Sequence, residues 1–153
     1  MSYLNSRKLM IKGRKSKWYK VVMIIAGVQL LAYFVGFYLV ISFLLHGNFY
    51  TAATVAVIVK IVLMWAVTIT GMLWEKDVID KYFLGKEFFW EDIGNLVAII
   101  THNAYFVFAA LDFSKTAIMQ VMLFAFITYL FNFVQWIIVG IKSYNMRKEY
   151  RIS

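Results

Sequence analysis

Apolar positions gather into four long runs, at about residues 21–45, 52–74, 93–111 and 117–141, separated by short polar connections. Each run is close to the roughly 20 residues that cross hydrocarbon as a helix. The pattern predicts an all-α, polytopic membrane protein: a four-transmembrane-helix bundle in a single integral domain over residues 1–153. A basic tail (about 1–20) precedes the bundle, and an acidic loop (about 75–92) joins its halves. The first run is too long for a signal-peptide core and lacks a small-residue cleavage site, so it is expected to be retained. Proline is absent. Proline kinks are therefore excluded, and the broken helices of many transporters become a poor fit.

Polar residues interrupt these runs at chosen places. An ionisable group in hydrocarbon is costly and should face the bundle interior, a partner or a site. Lys60 lies about a third of the way along the second run, on one helical face with Met64, Val67, Thr68, Gly71 and Glu75. It reads either as a structural residue, its stem reaching for the interface or pairing with a neighbouring helix, or as an anchor for an anionic substrate group. In the third run Glu91, Asn95, Ala98, His102 and Tyr105 fall within a stripe of about 80° at the helical period. Asp92 and Asn103 form a second line beside it. Such a helix is expected to line something wet or occupied. His102 alone reads equally well as an imidazole satisfied by a neighbouring amide, and Gln29, Thr128, Asn132 and Gln135 read as interhelical glue.

Composition agrees with the pattern: 63% of residues are hydrophobic and the mean hydropathy is +0.73, too apolar for a soluble domain. Charge adds orientation. Arg7, Lys8, Lys12, Arg14, Lys15, Lys17 and Lys20 precede the first run, and Lys142, Arg147, Lys148 and Arg151 follow the fourth. Cations near helix ends stay on the cytoplasmic side, which predicts cytoplasmic termini and a cytoplasmic acidic loop. The net charge of +8 hugs helix ends instead of forming a recognition face, so the expected partner is anionic membrane lipid and not nucleic acid. The absence of cysteine excludes disulfides and thiolate chemistry. The 29 aromatic residues (14 Phe, 10 Tyr, 5 Trp) are expected mainly at lipid and at the interfaces, some of them free to stack on a flat ligand.

Six of the eight carboxylates lie between Glu75 and Asp92. Aromatic residues flank them, in Trp74-Glu75-Lys76-Asp77 and in Phe88-Phe89-Trp90-Glu91-Asp92. Aromatic neighbours desolvate a carboxyl and favour its protonated form, as a proton donor requires. Two plainer accounts compete: the acids pair with nearby lysines, or Glu91 and Asp92 complement a helix N-terminus, which would favour the ionised form.

Three stretches, G71-M-L-W-E-K-D-V78, Y82-F-L-G-K-E-F-F-W-E-D92 and T101-H-N-A-Y105, resemble the vinyl bacteriochlorophyllide hydratases, with further likeness in G47-N-F-Y-T-A-A-T54 and at Lys60. The resemblance implies addition of water to the C3 vinyl group of a (bacterio)chlorophyllide, giving a 1-hydroxyethyl group. That is a hydro-lyase step of bacteriochlorophyll biosynthesis in the cytoplasmic (inner) membrane of a photosynthetic bacterium. Protonation of the terminal vinyl carbon leaves a cation delocalised into the macrocycle, and water adds to it, so an acid and a water-positioning base are needed.

Glu91 beside Trp90 is the first expectation for the acid and Glu75 the second, with Asp92 ionised and holding the water. His102 lies about 16 Å beyond Glu91 along a helix. It is therefore expected to meet the macrocycle as an axial ligand to the pigment magnesium or as a partner of a ring carbonyl. Asn95 and Tyr105 would line the same stripe, and Lys76 or Lys60 would pair with the pigment propionate. No cofactor is expected beyond magnesium carried within the substrate. The alternative is a non-enzymatic pigment-binding or assembly subunit of the photosynthetic apparatus, which would use His102 but need no acid. Homo-oligomers, or association with other pigment-biosynthesis enzymes, are compatible with the many outward aromatics.

Overall fold

The computed structural model describes residues 12–152, with side chains described through Ile138 and at Ile141. Arg7 and Lys8 lie outside the described residues, and the side chains of the cations beyond Ile141 are likewise undescribed. Four long helices follow a short helical segment at residues 12–15: α1 (Lys17–His46), α2 (Tyr50–Ile79), α3 (Phe89–Ala110) and α4 (Lys115–Ile152). All four are long and apolar enough to cross a membrane. The all-helical membrane architecture expected from the hydrophobic pattern is what the chain forms.

Local chemistry sets the helix ends. Ser16 caps α1 by accepting the Trp18 N–H at 3.1 Å, and α1 stops at Gly47, whose φ of 72° is one that a residue without Cβ adopts freely. Only residues 47–49 separate α1 from α2, so the two pack as an antiparallel pair. The α1–α2 and α3–α4 seams are extensive, whereas α2 and α3 touch over a much shorter stretch. The interior holds Tyr33, Val40, Val57, Met64, Ala98, Met119, Met122 and Phe126. Large apolar side chains such as Ile24, Leu31, Phe34, Val62, Ile100 and Phe124 point outward, as lipid as the outer solvent requires.

The chain ends of the bundle lie together. Trp74 near the end of α2 donates to the Gly13 carbonyl at 3.0 Å, and the Ser16 hydroxyl donates to Asp77 at 2.7 Å. Gln135 on α4 donates to the Trp90 carbonyl at the start of α3. One boundary differs from expectation in a way that matters. α2 continues to Ile79 and α3 begins at Phe89, so the expected loop over 75–92 shrinks to residues 80–88, and Glu75, Glu91 and Asp92 sit on helices. Nothing in the W-E-K-D-V-I stretch breaks a helix, and α2 ends only where Asp80 turns left-handed at φ 61°.

Candidate active site

A polar seam runs along the thin α2–α3 contact. On α2 the face that carries Lys60, Met64, Thr68 and Glu75 is buried, and on α3 the buried face carries Asp92, Ala98, His102 and Tyr105. Because the helices are antiparallel, these residues meet in order. Glu75 lies against Asp92 at the end that holds the chain termini. Asn95 donates to the Thr68 hydroxyl at 3.0 Å in the middle. Lys60 and His102 lie deeper, within electrostatic reach of each other. From Asp92 to His102 is about 15 Å along α3.

At the outer end, Glu75 and Asp92 are 3% and 4% exposed, and their carboxyl groups meet in hydrogen-bonding contact. Ionised carboxylates are acceptors only, so a hydrogen bond across this contact requires one of the two to carry a proton. Asp92 has its own tether: its Oδ2 accepts the Leu84 N–H at 2.6 Å. Leu84 adopts φ 54°, a left-handed conformation costly for a bulky residue, and the strained turn fixes the carboxylate. Glu75 Oε2 has no donor among the described residues. Trp74, the neighbour of Glu75, packs on Phe88 with ring centroids 5.2 Å apart and closes this end from the loop side.

The expected residues separate into two groups. Glu91, Trp90 and Lys76 fall outside the buried seam. Glu91 is half-buried and acts on the Glu75–Asp92 pair only through its charge. Trp90 is 71% exposed and so does not desolvate Glu91. At the head of the α3 stripe it is Asp92, and not Glu91, that is buried, with its carboxylate accepting the Leu84 N–H. Lys76 is bound to Asp80 at 2.7 Å and faces outward. Glu75, Asp92, Asn95, Lys60, His102 and Tyr105 all lie on the seam.

At the inner end, Lys60 is fully buried and does not reach for the interface. Its Nζ has no hydrogen-bond partner and sits 3.1 Å from the Tyr129 ring centroid and 5.9 Å from that of Tyr33. His102 is equally buried, with its ring against Phe126 and Tyr129. Its Nδ1 donates to the Ala98 carbonyl at 2.8 Å, since a carbonyl only accepts. In a neutral imidazole that leaves Nε2 with a lone pair, and Nε2 is unpartnered. Among the described residues no three His, Asp or Glu side chains are grouped to hold a metal ion. A metal already held in a macrocycle needs only one protein donor, which His102 Nε2 can supply.

Sequence reasoning missed the Leu84 N–H, a backbone donor with no side-chain signal, and Tyr33 and Tyr129. These two tyrosines carried a usable sign: they lie deep within their spans, away from the interfacial belts where tyrosine is usual. Gln135 contacts α3 from the opposite side and packs directly on Gly94.

The comparisons with known proteins bear on this geometry. The family model for 2-vinyl bacteriochlorophyllide hydratase (BCHF) matches residues 7–142. The chain belongs to this family. It is 35% identical over 120 residues to the 2-vinyl bacteriochlorophyllide hydratase of Rhodobacter capsulatus, covering 78% of this chain and 70% of the relative. It is 32% identical over 122 residues to that of Cereibacter sphaeroides, covering 80% and 76%. No solved structure matches. The BCHF match takes in the first three helices, α4 as far as residue 142, and the whole polar seam, so the seam belongs to the part of the chain that carries the family likeness.

Proposed function

We propose that this BCHF-family chain is a hydro-lyase that adds water to the vinyl group of a (bacterio)chlorophyllide, with Glu75 as the acid and Asp92 as the carboxylate that activates water. The relatives' name counts the vinyl position as 2; C3 is the same substituent in the other macrocycle numbering. The observation that carries the assignment of roles is the buried contact between the Glu75 and Asp92 carboxyls, one of them free of donors and the other fixed by Leu84.

Hydration consumes no net protons, and a pair sharing one proton suits it. Protonated Glu75 gives its proton to the terminal vinyl carbon, and the resulting cation spreads into the macrocycle. Asp92, ionised and held in place, takes a proton from the incoming water as its oxygen bonds to the ring-attached carbon. The proton then returns from Asp92 to Glu75 across their contact, and the pair is reset without exchange with bulk solvent. Removal of water from the buried seam strengthens each of these interactions.

The rest of the seam serves the macrocycle. His102 Nε2, unpartnered among the described residues, would meet the pigment magnesium as a donor, with the macrocycle extending along the α2–α3 contact toward the acid pair. Asn95 and Tyr105 share that side of α3 with His102. The cation distribution at the helix ends supports a cytoplasmic face for the acid pair, in the cytoplasmic membrane, with anionic lipid held by the basic tail. A pigment carrier without activity would have no use for the acid pair, and the test turns on this. Purified protein is incubated with a 3-vinyl chlorophyllide in 18O-labelled water and the pigment is weighed by mass spectrometry. Wild type should gain one labelled water; Glu75→Gln should bind pigment and gain none. Pigment binding without any mass change in wild type would refute the hydratase reading in favour of the carrier.

A further inference from the structure

Lys60 is the one fully buried cation among the described residues, and nothing there neutralises it. Its Nζ makes no hydrogen bond, and its nearest companions are the π faces of Tyr129 and Tyr33. Those faces attract a cation but leave all three N–H donors unused. The nearest carboxylate on its own helix is Glu75, 15 residues or about 22 Å along the axis, and Glu75 is already engaged with Asp92. A buried charge with no counter-ion is far less favourable than an apolar side chain of the same volume. The position therefore makes physical sense if the counter-ion arrives with a ligand.

Two chemistries meet at this end of the seam. His102 Nε2 offers a lone pair, which repels an anion and suits a metal or a hydroxyl. Lys60 Nζ offers only donors, which suit an anion. An occupant that satisfies both presents an electrophilic centre to His102 and a negative group to Lys60, among the rings of Tyr33, Tyr129 and Phe126.

We propose that Lys60 is a specificity-determining residue that reads the free carboxylate of the substrate, so that the seam takes an unesterified, amphipathic pigment acid and rejects its ester. The proposal rests on the pigment reading above and goes further by assigning the anion site to Lys60 instead of the outward-facing Lys76, whose ammonium is already bound to Asp80. The carboxylate would lie across the seam from Tyr129, giving Lys60 a charged partner in place of a ring face. With the carboxylate seated at Lys60 and the macrocycle along the seam toward Asp92, the vinyl group is delivered to the acid pair in one orientation.

The test uses binding as well as turnover. Wild type, Lys60→Met and Lys60→Gln are each titrated with a 3-vinyl chlorophyllide and with its methyl ester, by pigment absorbance in detergent, and hydration of both is followed by mass. Wild type should bind the acid about ten- to a hundredfold more tightly than the ester, the value of one charge-assisted hydrogen bond. Lys60→Met, which matches the stem in volume, should lose that margin while holding the ester as wild type does, and its deficit should appear in KM with kcat retained. Equal affinity of wild type for acid and ester overturns the proposal, whatever the variants do. Acid preference retained in Lys60→Met or Lys60→Gln overturns it as well. If neither form is hydrated by wild type, the hydratase reading falls, whereas recognition of the carboxylate still stands or falls on binding alone.

Discussion

Glu75 and Asp80 are five residues apart at the same end of α2, carry the same charge, and end in opposite environments. Glu75 falls on the buried face with Thr68 and Lys60, meets only another carboxyl and has an oxygen without a donor. Asp80 falls past the last turn, is 86% exposed at its side chain and is bound to Lys76. The acidic stretch is therefore two things. One half is a solvated helix end where Lys76 neutralises Asp80; the other is a carboxyl pair turned inward, with no cation bound to it among the described residues. The number of acids in a segment does not reveal which of them do chemistry. The face of the helix on which each lies does, and about one turn of helix separates the two outcomes.

Substitution of the three candidate acids breaks this comparison most directly. Glu75→Gln keeps the volume and still hydrogen-bonds Asp92, but has no proton to give, so turnover should fall by about 10²- to 10⁴-fold, the usual contribution of a general acid. Pigment binding should persist. Glu91→Gln removes a half-buried carboxyl that influences the pair only through its charge, so a loss of less than about tenfold is expected. Rates measured in one assay decide the order: a greater loss in Glu91→Gln than in Glu75→Gln would return the acid role to Glu91.

Much of this was legible in the sequence, for reasons that also mark where legibility stopped. Four apolar runs without proline specify four membrane-crossing helices, because lipid leaves a chain few other choices. The period of α3 placed Asn95, His102 and Tyr105 on one face, and the position of Lys60 inside α2 marked it as unusual. Which of the two acids at the start of α3 turns inward was not legible. Glu91 and Asp92 are neighbours about 100° apart, and the choice between them is made by a backbone N–H at Leu84, in a turn whose left-handed geometry no side chain announces. The reach of α2 past Trp74 was also missed, since charged residues at a membrane boundary read equally well as loop or as the last turns of a helix.

The opposite side of α3 offers a second, smaller test. Gly94 faces α4, where a Cβ would run into the Gln135 amide and come within 3.2 Å of Asn132 Oδ1. In Gly94→Ala the far end of Gln135 can swing away, but only by giving up its hydrogen bond to the Trp90 carbonyl. A stability loss of about 1 kcal/mol is expected, at the low end for overpacking, measured as a lower thermal midpoint in detergent. Because Gly94 faces α4 and the acid pair faces α2, turnover per folded molecule should stay close to wild type. A large fall in turnover would mean that the α3–α4 contact also sets the position of Asp92.

Asp80→Asn should have the smallest effect and sharpens the comparison from its exposed side. Lys76 holds the Asp80 carboxyl below the usual carboxylate range by hydrogen bond and charge, so the folded protein favours the ionised form. The sign follows: the contribution of the pair is present above the unfolded carboxyl value of about 4 and is lost as pH falls through the lower folded value. The pair is fully open to solvent and screened, and its removal at neutral pH should change turnover by less than about twofold. Thermal midpoints of wild type and Asp80→Asn should differ slightly near neutral pH and converge under acid conditions, where the wild-type carboxylate is protonated. A loss of turnover near that of Glu75→Gln would contradict the division of the acidic stretch, because the proposed mechanism gives an exposed, lysine-bound carboxylate no part in the proton transfer.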